Sequence, residues 1–149
     1  MATREGRAPD ASQIGHNMSA LIAWLAAALA FLVLDLIWLS TMNARLYRPL
    51  IGDLLAPKPR LAPAIAFYLI FISGLVFFAV LPGLDEGRLR TTLIHAAVYG
   101  GVTYATYDLT NHATLRVWDL RVTLADMAWG VLLSAAAASA AFYAASLFS

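Results

Sequence analysis

Between Ala20 and Leu39 the chain runs for twenty residues with one ionisable side chain, Asp35. A helix rising about 1.5 Å per residue needs about 20 such residues to cross a hydrocarbon core of roughly 30 Å, so the run predicts a transmembrane helix. Three further runs have the same character. Leu61 to Leu84 has no ionisable group except Tyr68, Thr91 to Tyr107 has none beyond His95 and its tyrosines, and Met127 to Ser149 has only Tyr143. Pro57 and Pro59 precede the second run, Pro82-Gly83 follows it, and Arg-Val-Trp-Asp-Leu-Arg separates the third from the fourth. These are the punctuation marks of helix ends. The expected fold is all-α, an integral membrane four-helix bundle with spans at about 20–42, 61–81, 91–111 and 123–147.

Composition agrees with that class. The 149 residues are 61% apolar and 13% charged with a mean hydropathy of +0.72, against about 45–50% and about 25% in soluble domains. The net charge of +1 and the scattered Lys and Arg give no footprint for nucleic acid, which leaves the lipid bilayer as the partner the sequence names. The absence of cysteine excludes disulfides, thiolate metal sites and thiol catalysis.

Outside the spans, residues 1–18 form a polar tail expected to be disordered. A cleaved signal peptide is the alternative for the first run, given Arg4, Arg7 and Ala28-Leu29-Ala30, but the run is too long for one. Pro49 to Ala56 opens with a helix-compatible proline and spaces its leucines helically, so a short interfacial segment is expected between the first two spans. Arg45, Arg48, Lys58, Arg60, Arg116 and Arg121 fall in the first and third loops, against Arg4, Arg7, Arg88 and Arg90 in the tail and second loop. The positive-inside rule then places the first and third loops in the cytoplasm and both termini outside.

The polar residues collect at one end. Asp35 lies near the end of the first span, Asp108 near the same end of the third, and Asp126 about one turn into the fourth. Buried carboxylates in a membrane face the bundle interior and find partners. Asp126 follows Thr123 in a capping arrangement, whereas Asp35 and Asp108 sit toward helix C-termini, where the dipole disfavours negative charge. They require a cation, a proton or a metal. The expected cluster is Asp35, Tyr107, Asp108, Asn111 and Asp126, bridged by Arg48, Arg116 or Arg121. Tyr104, Asp108, Asn111 and His112 share a helix face, with Asn111 a candidate left-handed cap. His95, Tyr99, Thr103, Thr106 and Thr110 form another polar stripe, for which interhelical hydrogen bonding is favoured over a proton path. Trp38, Trp118 and Trp129 lie at the same level, where a boundary belt is favoured over pocket lining. The aspartates and His112 match no metal-ligand spacing, and no cofactor is assigned.

Ala97, Gly101 and Ala105, and likewise Gly130, Ser134 and Ala138, space small residues four apart. Such stripes let helices approach closely, within the bundle or against another membrane protein or a second copy.

Asp35-Leu36-Ile37-Trp38-Leu39, Phe67-Tyr68, Tyr107-Asp108-Leu109-Thr110-Asn111, Ala113-Thr114-Leu115, Val122-Thr123, Asp126 and Trp129-Gly130 together resemble a bacterial family of small predicted membrane proteins, domain of unknown function 2177. The resemblance covers roughly Ala20 to Ala144. It implies a four-helix inner-membrane protein without an established activity and an association with lipid-modifying genes, and it supplies no catalytic assignment. The chain departs from the family pattern at His112, at Asp119 and in its longer tail.

Three functional readings follow. A structural or accessory protein would use the acids to lock helix register. An enzyme or cofactor in lipid modification would need a cleft open to the bilayer that reaches the acids. A proton or ion conductor would need polar groups along the whole bundle.

Overall fold

The computed structural model describes residues 11–148. Among them there is no strand, and four long helical stretches pack as an integral membrane bundle. The first, α1 (Ala11–Met42), passes through a π turn at Asn43–Tyr47 into α2 (Arg48–Ile51) and a closing 3-10 turn at Gly52–Leu54. The second is α3 (Leu61–Leu75), joined by a π turn at Val76–Val80 to α4 (Leu81–Asp85). The others are α5 (Leu89–Thr114) and α6 (Leu120–Ser146). The stretches at Gly15–Leu54, Leu61–Asp85 and Leu120–Ser146 are each long and apolar enough to cross a membrane. The helix α5 has comparable length and carries more polar side chains than any other helix.

Two boundaries differ from the hydropathy reading. The part of the polar tail from Ala11 to Met18 is helical rather than disordered, while Met1 to Asp10 lies outside the described residues. A helix already nucleated by an apolar run adds one hydrogen bond for each residue it fixes, so propagation is cheap. This end is also tied down, since the Ser19 hydroxyl donates to the Phe148 carbonyl at 3.3 Å. At Pro82 the helix does not stop. Proline lacks the N–H that the carbonyl four residues earlier expects, and a π turn at Val76–Val80 accommodates the defect. That carbonyl, of Phe78, receives a hydrogen bond from His95 Nδ1 at 3.2 Å instead.

Outward faces are lipid-like, with Leu21, Leu25, Leu29 and Val33 on α1 and Ile94, Val98 and Val102 on α5 all exposed. The interior of the half toward Ser19 and Phe148 is packed by the fully buried Ala23, Ala27, Phe31, Leu75, Val80 and Leu133. Here α5 and α6 touch closely. A Cβ on Gly100 would strike the Gly130 carbonyl, and one on Gly130 would enter the Tyr104 ring. The small-residue stripe Gly130, Ser134 and Ala138 is therefore consumed inside the bundle, and is not free for a second chain. The buried residues of α5 are Thr92, Ala96, Gly100 and Asp108, and Gly100, one residue out of register from the expected Ala97, Gly101 and Ala105, is the one that meets Gly130 and Ser134.

Candidate functional site

At the other end the bundle opens. The first ten residues of α3 are exposed apart from the half-buried Ala64 and Tyr68, and α3 touches α5 little. Phe71 marks where the two helices come together, its ring packed edge-on against Tyr99 at 5.1 Å and Tyr104 at 6.1 Å. Beyond Phe71 lies a cavity of about 550 Å³. Its walls include Phe67 on α3 and Tyr107 on α5, which are 43% and 61% exposed, so it reaches the lipid-facing surface between those helices. The segment after α1 covers its end with Tyr47, Ile51 and Leu55.

Asp35, Asp108 and Asp126 all line this cavity, and all three are buried. The helices put them at one level because α1 and α5 arrive there as α6 departs. Asp35 accepts from the Tyr68 hydroxyl at 2.7 Å and the Trp129 indole at 3.3 Å. Asp126 accepts from the Tyr47 hydroxyl at 2.5 Å, which in turn accepts from Trp38 Nε1 at 2.8 Å. Asp108 has no exposed surface, and neither of its carboxyl oxygens has a hydrogen-bond partner. Leaving a buried polar group unbonded costs about 1–3 kcal/mol, and more for a charge. Asp126 is near enough to both Asp35 and Asp108 for their charges to repel, and Tyr104 stands within electrostatic reach of all three acids.

The arginine bridge expected from the sequence is not formed. Among the described residues the single ion pair joins Arg121 to Asp119 at 2.9 Å, outside the cavity. Arg48 and Arg116 are exposed at the bundle end. A guanidinium at the boundary keeps its hydration there, whereas pairing with a buried acid would require desolvating both charges. Tyrosine and tryptophan donors, which carry no charge to desolvate, take the arginines' place at Asp35 and Asp126.

Other assignments also shift. Asp126 is not a cap, because α6 starts at Leu120 and Asp119 is the N-cap, accepting from the Arg121 backbone N–H at 2.8 Å. Thr123 accepts from Trp118 Nε1 at 2.9 Å. Trp38 and Trp129 are stacked, with centroids 4.5 Å apart and planes at 5°, and with Trp118 they line the cavity rather than forming a belt. Asn111 stays helical with its side chain bonded to Tyr107, and no described non-glycine residue takes a left-handed conformation. His112 is exposed and His95 serves the Pro82 break, so neither histidine joins the acids. Thr103, Thr106 and Thr110 bond backbone carbonyls of their own helix, which is ordinary satisfaction of hydroxyls. Among the described residues no group of three or more His, Asp or Glu side chains is arranged to hold a metal ion.

Two donors were not singled out by the sequence reading, Tyr47 and Tyr68. The signal for Tyr68 was its isolation as the one ionisable group in the second span. Tyr47 had no such signal, because only the π turn brings it under the bundle.

A model of the family described as Predicted membrane protein (DUF2177) matches residues 20–143, which span all the residues of the cavity wall. No curated protein and no solved structure matches the chain.

Proposed function

The chain belongs to the DUF2177 family of predicted membrane proteins, and from that premise we propose that it binds a lipidic molecule. The molecule enters from the bilayer between α3 and α5, and its polar end rests on the carboxyl floor of the cavity. The observation that carries the reading is Asp108, fully buried in the cavity wall with both oxygens unbonded. A register lock would need that acid paired, as Asp35 and Asp126 are. An acid that bonds nothing in the protein is placed to bond something that arrives.

A catalytic version of this reading is favoured by the hydroxyl–carboxyl contacts Tyr68–Asp35 and Tyr47–Asp126, which could pass a proton to or from a bound group. Conduction fits less well, since Ala27, Phe31, Leu75, Val80 and Leu133 fill the bundle beyond the cavity. Arg45, Arg48, Lys58, Arg60, Arg116 and Arg121 cluster at the cavity end, which would turn the site to the cytoplasmic face of a bacterial inner membrane.

Thermal melting in detergent, with and without added bacterial lipid extract, tests the proposal. Wild type should gain stability with lipid, while Asp108→Asn should keep the lipid-free melting point and lose the gain. A lipid-free loss on the scale of breaking a buried pair, about 3–5 kcal/mol, would instead make Asp108 a structural lock.

A further inference from the structure

The geometry points to a cationic ammonium group on an apolar tail as the molecule that this cavity takes, an assignment that rests on the lipid-binding reading above. Most donors in the wall are already spent, the Tyr104 and Tyr107 hydroxyls being the exceptions. Tyr68 and Tyr47 donate to Asp35 and Asp126, Trp129 donates to Asp35, Trp38 to Tyr47 and Trp118 to Thr123. Beyond those two hydroxyls the wall offers acceptors, above all the two unpartnered oxygens of Asp108. A phosphate or carboxylate head would meet three acids and few donors, whereas an ammonium carries donors or a bare positive charge and no acceptor.

Charge argues the same way. Three carboxyls border one cavity, Asp126 close enough to repel the other two, and the described arginine that forms an ion pair spends it on Asp119 outside. A cation at the floor removes that repulsion. The surrounding rings add to the attraction, since the faces of Trp, Tyr and Phe carry negative electrostatic potential and hold ammonium groups. The stacked pair Trp38–Trp129 beside Asp35, with Tyr104 also lining the cavity, is a wall of that kind. The gap between α3 and α5, bordered by Phe67 and Tyr107, gives an attached chain a way out to lipid.

Tryptophan fluorescence of the full chain in maltoside micelles can test the assignment, because Trp38, Trp118 and Trp129 line the cavity. The probes are dodecylamine, dodecyltrimethylammonium, dodecanol, dodecanoate and tetramethylammonium. Both dodecyl ammonium probes should bind roughly tenfold or more tightly than dodecanol and dodecanoate, a preference that Asp108→Asn and Asp35→Asn each reduce and Asp85→Asn, at the opposite end, does not. Dodecanol or dodecanoate binding as well as the ammonium probes would overturn the ammonium assignment and leave the lipid site standing. Tetramethylammonium binding as tightly as its dodecyl analogue would overturn the amphiphile. No saturable binding by any dodecyl probe would remove the lipid site and the ammonium assignment together.

Discussion

Asp119 and Asp108 are the same side chain in opposite circumstances. Asp119 accepts from the Arg121 side chain and backbone N–H, and these bonds hold its carboxyl down at about 2, below the ordinary carboxylate range. A depressed value in the folded state means that the contribution is present above the ordinary range and is lost as pH falls through about 2. A carbon-detected titration of Asp119 should therefore show a midpoint near 2, and Arg121→Gln should move it upward. An ordinary midpoint in the wild type would show the pair to be unformed in solution. Helical rise makes Arg121, with Arg48 and Arg116, a candidate partner of the buried acids because all lie at one level of the bundle. Level was legible from helical rise, but the outcome was decided by desolvation, which a sequence does not display, and an exposed local acid two residues away costs less to reach than a buried one.

At the scale of elements, periodicity and length located the four helices, and their rise brought Asp35, Asp108 and Asp126 to the same depth. Azimuth was harder to read. Ala96-Gly100 and Ala97-Gly101 are equally small, and only packing shows that the first pair faces α6. The same ambiguity hid the role of Gly130, whose missing Cβ leaves room for the Tyr104 ring at the edge of the cavity. Gly130→Ala should push that ring toward the cavity, with a stability loss of about 1–3 kcal/mol from overpacking, and weaken dodecylamine binding. Denaturation and the fluorescence titration together check this, and unchanged values for both would show that Tyr104 is not held there. Helix ends were legible only in part, because π turns let the chain pass Met42 and Pro82, where hydropathy and proline predicted a stop.

For the whole molecule, the two ends of the bundle divide the work. One half is filled by buried apolar side chains, while the other is splayed at α3 and holds the acids and rings around an open volume. This division was not legible in the sequence, because it depends on how far α3 leans from α5, and lipid-facing leucines look alike on a packed helix and a splayed one. On the reading proposed above, the splayed half holds a lipidic molecule against Asp108. Native mass spectrometry of the protein released directly from its membrane measures this most directly. A bound lipid-sized adduct is expected on the wild type, with an ammonium-bearing head on fragmentation, and it should be depleted in Asp108→Asn of equal melting temperature. Equal adduct on both proteins, or none on the wild type, would contradict that reading.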